Sequence, residues 1–372
     1  MKVQITNGMF MAIIINLVYA KAIGLTQGTM AREIGSDIWI ATIFSSVQGL
    51  LAMMLIVYII KKLPDRDIIQ QSELLLGKWF AKGVALIVFI FFLFSYGGVM
   101  ATFVYHLKDF FLPEAPILVV VLAAILMGIY GIFFGLEVLS RMALLGVFSI
   151  LCLNILILIG TLGDFDIREL LPTFQAGLVK TLWASRHHDA DWAVATMMAT
   201  MVLPHVKNKE TWGRSGAAGI VFGGFFVVLW PILEVGVLTA EVAAQYLVSC
   251  MQMARSAHIG LFLHRYEMIM IAFFALSSLT QIMITLLCAS IAMQRLIGLK
   301  DYRPAIIPVA LILGGFGYWF VIDHHRAMNL LETYWIAVAL GIAVGLPILF
   351  LLLGKVYRKK LKRGTAAEDV NG

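Results

Sequence analysis

The sequence predicts an all-α integral membrane protein with ten transmembrane helices, and three observations carry that prediction. Hydrophobic residues make up 61% of the 372 residues and charged residues only 13%, where an average soluble domain carries about 25% charged residues. The apolar residues gather into ten stretches, near 6–27, 38–60, 82–106, 115–135, 142–162, 185–203, 215–239, 267–293, 303–322 and 334–354. Each approaches the roughly 20 residues that cross about 30 Å of hydrocarbon. Finally, Lys and Arg keep to the connections: apart from Arg186 and Arg303 at span edges, only Lys21 and Lys82 lie within a stretch. Backbone groups in lipid must be satisfied within their own segment, which selects helices over strands.

The formal net charge of +6 does not imply a nucleic-acid partner, because basic residues concentrate on one side of the expected bundle. The connections after spans 2, 4, 6 and 8 and the two ends hold most of them, including Lys355, Arg358, Lys359, Lys360, Lys362 and Arg363. The positive-inside rule then puts both termini in the cytoplasm. The basic tail reads as a topology anchor, with an anionic-lipid contact as the alternative. The first stretch lacks a cleavable signal-peptide layout and is expected to be retained. One polytopic domain is expected over 1–363, followed by a short cytoplasmic tail, 364–372. Cys152, Cys250 and Cys288 show neither metal-ligand spacing nor a disulfide framework. No nucleotide loop, dinucleotide turn or zinc pattern occurs, so neither cofactor nor enzymatic activity is expected.

Charged residues inside spans are costly and therefore candidates for function. Span 1 contains Lys21 in Ala20-Lys21-Ala22-Ile23-Gly24, with Gly28 one turn on. The glycines permit a break there; the alternative is a Lys21 that snorkels to an interface. The Tyr96-Gly97-Gly98 run of span 3 reads first as close helix packing, with Tyr96 a further candidate ligand contact. Span 6 opens on Arg186-His187-His188-Asp189-Ala190-Asp191-Trp192 before turning apolar. It reads as a discontinuous helix whose polar half lines a cavity, or as part of the preceding connection. Adjacent His187 and His188 diverge on a helix, which argues against a metal site. Interruptions in the first helix of each half fit a five-plus-five inverted repeat with discontinuous spans 1 and 6, the pattern that marks a central binding site.

Span 7 carries Glu234 after Trp230-Pro231, either buried or near an interface. In span 8, Ser277, Gln281 and Thr285 repeat at i, i+4, i+8 and share one face. They either bond helix to helix or line the cavity, and Ser277 and Gln281 are the stronger cavity candidates. The long connection 240–266 is expected to form a helix along the outer surface. Candidate ligand contacts are thus Lys21, Ala22, Gly24, Tyr96, Asp189, Asp191, Ser277 and Gln281.

The run Phe262-Leu263-His264-Arg265-Tyr266-Glu267, followed after a long span by Leu296-Ile297-Gly298-Leu299-Lys300-Asp301-Tyr302-Arg303-Pro304, resembles the B subunits of spore germinant receptors. The Pro204-His205-Val206-Lys207 exit from span 6 and the basic tail fit the same family, the endospore germination permeases of the amino acid–polyamine–organocation transporter superfamily. The resemblance implies a five-plus-five transporter fold in the spore inner membrane. It also implies partners, a larger A subunit and a lipoprotein C subunit, and a small nutrient ligand, typically an amino acid. The chain departs from the family in span 1, where Lys21 stands in place of a small-residue break. In span 6 its acids come early, at Asp189 and Asp191. A nutrient sensor is the leading expectation; a working amino acid transporter and an ion-channel subunit are the alternatives.

Overall fold

The computed structural model describes residues 4–258 and 266–357. Among these, the fold is helical apart from one isolated parallel bridge between Ile5 and Val206. The helices are α1 (Asn7–Lys21), α2 (Gln27–Ile34), α3 (Ile38–Ile60), α4 (Ile68–Leu76), α5 (Lys78–Phe110), α6 (Ile117–Phe133), α7 (Leu136–Thr161) and α8 (Leu178–Ala184). They continue as α9 (Arg186–Val202), α10 (Trp212–Leu238), α11 (Ala240–Ala243), α12 (Ser249–Ser256), α13 (Tyr266–Ile297), α14 (Arg303–Val321), α15 (His324–Asn329) and α16 (Ile336–Val356). The basic run from Arg358, the tail 364–372 and the residues Phe262 to Arg265 lie outside the described residues.

Each of the ten apolar stretches falls on a helix. Seven helical runs are long and apolar enough to cross a membrane, and Ile117–Phe133 is a shorter apolar helix. The first run, Asn7–Ile60, has 54 residues. At about 1.5 Å per residue it would exceed twice the hydrocarbon thickness if straight. Instead Gly35, at φ +60°, turns the chain between α2 and α3, a conformation that glycine adopts without steric cost.

Helix α1 is the hub. Its residues Ala12 to Lys21 are all buried, as expected for a helix apolar on every side. Glycines bring α10 against it: a Cβ on Gly223 would lie 2.3 Å from Val18 Cγ2. Such small-residue seams substitute for the hydrophobic drive that lipid does not supply. Asn16 donates to the Ala143 carbonyl of α7 at 2.8 Å.

Three expectations are refined or corrected. Span 1 is not unwound: a π-helical turn, Ala22–Thr26, joins α1 to α2. The regular α-helix is thus interrupted at Gly24, where the sequence suggested it, but by a π turn that keeps the chain helical. Span 6 is not broken either. Helix α9 runs without interruption from Arg186 to Val202, and the chain turns before it, at Ser185. Its polar half stays helical because Arg186, His187, Asp189 and Asp191 all find partners on other elements. The connection after α10 is not one surface helix but α11 and α12. Cys250, Met251, Met253 and Ala254 of α12 are buried in the bundle.

Candidate functional site

Lys21, the last residue of α1, and Asp191, on the second turn of α9, form an ion pair inside the bundle. Lys21 is 7% and Asp191 1% exposed. The second Asp191 oxygen, Oδ2, accepts from the Thr26 hydroxyl at 2.7 Å, and His188 Nδ1 lies 3.5 Å from it. His188 is itself stacked on Trp192, with ring centroids 5.7 Å apart. The Lys21 stem passes Gly98 of α5, where a Cβ would lie 3.1 Å from Lys21 Cε. Any larger residue at Gly98 would crowd the lysine. A charge pair this deep is a weak contributor to net stability, since desolvation offsets the attraction, but losing one member leaves the other uncompensated.

Two further ion-pair groups close one end of the bundle over this centre. Arg32 reaches Glu332 at 3.1 Å, and Thr29 donates to the same carboxylate at 2.9 Å. Arg186 holds Glu33 through two bonds of 2.9 Å, and His187 Nε2 lies 2.8 Å from Glu33. Between these groups and the Lys21–Asp191 pair lies a cavity of about 20 Å³, bordered by Lys21, Thr26, Thr29, His187 and Glu332. That is room for roughly one water. Contacts also tie elements together at the opposite end. Asn7 donates to Thr211 at 2.9 Å, Ile5 exchanges backbone bonds with His205 and Lys207, and Arg295 pairs with Asp67 at 3.1 Å.

The predicted residues divide into those that meet and those that do not. Lys21 and Asp191 meet, and Ala22 is buried beside them at the start of the π turn. Gly24 faces α5, where a Cβ would lie 2.8 Å from both Thr102 Cγ2 and His106 Cε1. Tyr96 is buried against Gly317 of α14, and its hydroxyl has no partner among the described residues. Ser277 and Gln281 are engaged with α1: Ser277 donates to the Asn16 carbonyl at 3.2 Å, and Gln281 donates to Asn16 and Leu17 at 3.0 and 2.7 Å. Thr285 bonds back to Gln281 O at 2.7 Å within its own helix. Ser277 and Gln281 therefore tie span 8 to α1, the helix-to-helix alternative, while Thr285 is satisfied within α13. Asp189 points away from Asp191, toward α3, where Ser45 donates to it at 2.6 Å.

Sequence reasoning missed Thr26, Glu33 and Glu332. The adjacent Arg32-Glu33 pair directly after an apolar span was the available signal for one of them. Glu234 resolves to the buried alternative: it is 0% exposed, Ser249 of α12 donates to its Oε2 at 2.6 Å, and its Oε1 lacks a partner among the described residues.

Comparison with known proteins adds family and fold. Residues 4–319 match the family model described as spore germination protein. The chain is 24% identical to spore germination protein YndE of Bacillus subtilis, covering 96% of this chain and 98% of that one. It is 21% identical to spore germination protein KB of the same species, covering 99% of both, and 23% identical to spore germination protein GerQB of Bacillus cereus, covering 90% of both. Among solved structures it superposes on Mhp1, a nucleobase-cation-symport-1 family transporter, with a TM-score of 0.71 at 12% identity. That match covers 93% of this chain and 78% of Mhp1. MhsT in complex with L-phenylalanine gives a TM-score of 0.63 at 14% identity, covering 95% of this chain and 99% of MhsT.

Proposed function

The chain belongs to the spore germination protein family, and from that membership we propose that it is the nutrient-sensing subunit of a spore germinant receptor. It is a germination-related, multi-pass membrane protein with a transporter-like fold. On the proposed reading it crosses the spore inner membrane ten times, in two inverted five-helix halves, with both termini cytoplasmic. An A subunit and a lipoprotein C subunit would read its state, and its role is binding rather than catalysis.

The Lys21–Asp191 pair carries this reading. An amino acid zwitterion offers a carboxylate to the ammonium and an ammonium to the carboxylate, so it can insert between the pair and satisfy both charges. The cavity beside the pair has room for about one water, so a nutrient enters only if α1 and α9 separate or the Arg32–Glu332 end opens. Binding is thereby tied to a second conformation. A ligand shifts such an equilibrium only by its differential affinity for the two states, and insertion supplies that difference. Lys21 also supplies a fixed cation at the centre, which makes sodium unnecessary for binding.

Spores carrying this chain in their sole nutrient receptor, tested against an amino acid panel, check the reading. Lys21→Met combined with Asp191→Leu, which removes both charges together, should abolish the response at normal receptor level. Proteoliposome uptake of the active amino acid separates sensing from transport: a sensor shows saturable binding without accumulation. A normal response from that double variant, or a sodium requirement for binding, would overturn the assignment.

A further inference from the structure

Asp189 and Asp191 are two residues apart on α9, so their side chains leave the helix about 200° apart. Asp191 faces Lys21, whereas Asp189 faces a separate space between α3, α9 and α16. Two hollows meet there. An outer one of about 790 Å³ reaches from Phe44 and Trp183 to Leu340, and an inner one of about 210 Å³ is bordered by Gly49, Ala52, Ala193 and Ala343. They share Gln48, Asp189 and Leu340 as walls. The inner hollow is apolar apart from Gln48, Asp189, Trp192 and Thr196, and the outer one adds Ser185, Arg186, Glu332 and Thr333 at its rim. Ser45 and Ser185 donate to the carboxylate at 2.6 and 3.3 Å, and Gln48 donates to Ser185 at 3.2 Å.

No cationic side chain pairs with Asp189 among the described residues. Arg186, at the mouth, is held by Glu33, and Lys21 is held by Asp191. Trp192, 1% exposed, forms part of the inner wall, and its indole N–H lacks a partner among the described residues. A carboxylate facing an apolar hollow without a countercharge is costly, and an incoming cation removes that cost. The small residues Gly49, Ala52, Ala193 and Ala343 leave the depth for an apolar body below the carboxylate.

We propose that this cleft is a second binding site, separate from the Lys21–Asp191 centre, for a hydrophobic amine. The protonated amine bonds Asp189, and the apolar body lies along α9 toward Ala52 and Ala343. Mostly apolar walls with a few convergent polar groups are the usual character of a small-molecule site. The cleft opens between α3 and α16, whose outward residues Val47, Leu51 and Val344 are exposed, so an amine dissolved in the membrane reaches it directly. The proposal does not depend on the nutrient assignment.

The test uses the full-length chain in nanodiscs, with empty nanodiscs as blank, and octylamine, butylamine and octanol as probes in calorimetric titrations. Octylamine should bind saturably, and Asp189→Asn, which keeps a group able to accept from Ser45, should weaken it by about tenfold or more, as loss of a charged hydrogen bond implies. Octanol should bind weakly and be unaffected by that change. Ala52→Leu fills the inner hollow and should weaken octylamine more than butylamine. Lys21→Met combined with Asp191→Leu, which removes both central charges together, should leave octylamine binding unchanged, which separates this site from the central one. Equal binding of octanol and octylamine, or an Asp189→Asn variant that is folded and binds like the parent, would overturn the proposal. So would cross-linking of a cysteine introduced at Val344 to a helix of a receptor partner in the assembled complex, since the cleft would then be a helix seat.

Discussion

Removing one member of the Lys21–Asp191 pair should damage the fold far more than removing both. Lys21→Met leaves the Asp191 carboxylate, 1% exposed, with only the Thr26 hydroxyl and, at 3.5 Å, the His188 imidazole beside it. An uncompensated charge at such depth costs about 3–5 kcal/mol. Asp191→Asn leaves the Lys21 ammonium, 7% exposed and bordering the small cavity, and should fall near the lower end of that range. The double variant Lys21→Met with Asp191→Leu replaces both charges by apolar groups of similar size, which is often neutral or stabilising. The cycle should therefore be strongly non-additive, with a coupling of about 3 kcal/mol or more in contrast to the few tenths expected of independent sites. Unfolding of the purified chain by SDS, followed across the four proteins, measures it. The double variant should be as stable as the parent yet give no nutrient response in spores. Additive losses would refute the reasoning, because the charges would then not act as a unit. A stable double variant that still germinates normally would remove the pair from the site.

Three further outcomes are expected. Gln281→Leu and Ser277→Ala, which release the Asn16 and Leu17 carbonyls, should lower receptor abundance, at about 0.6 kcal/mol per lost interhelical bond, with the half-saturating nutrient concentration unchanged in spore assays; a specific shift in that concentration at normal abundance would return span 8 to the site. Burial raises the Asp67 carboxyl above the usual aspartate range against the opposing pull of Arg295. Its favourable contribution is thus full below the unfolded value near ~4 and is lost as pH rises through the folded value; Asp67→Asn should flatten the melting-temperature profile across that window, and an unchanged profile would count against it. Gly28→Ala places a Cβ 2.5 Å from the Tyr246 carbonyl and 2.9 Å from that of Leu247; the displaced segment should expose Cys250 to a thiol reagent while Cys288 stays protected, and equal protection of both would contradict this packing.

The helices were legible because apolar runs of membrane length leave the backbone few alternatives. Lys21 and Asp191 were legible for the converse reason, as charges in apolar surroundings. Their pairing was not, because 170 residues separate them and nothing local specifies which helices touch. The span 8 stripe had one readable property, its shared face, but periodicity does not say what that face meets, and it meets α1. The breaks foreseen in spans 1 and 6 rested on reading glycine and local polarity as loss of helix. Polar side chains cost a helix little when tertiary partners satisfy them, as Glu33, Ser45 and Lys21 do for α9. Grouping Asp189 with Asp191 overlooked a local rule, since a spacing of two sends side chains to nearly opposite faces.

That opposition gives α9 a particular position in the molecule. One face holds α1 through Asp191, and the other holds α3 through Asp189 and Ser45. Separating α1 from α9 to admit a nutrient moves a helix that also forms a wall of the amine cleft. Coupling between two such sites is a free energy, so it must be reciprocal. If insertion at Lys21–Asp191 widens the cleft, occupancy of the cleft favours insertion by the same factor; if it narrows the cleft, each ligand opposes the other equally. The rigid connection is short, because only the width of one helix lies between the two carboxylates. Helix α9, rather than the ion pair alone, is therefore the element through which a partner subunit or a membrane-dissolved amine would bias nutrient response.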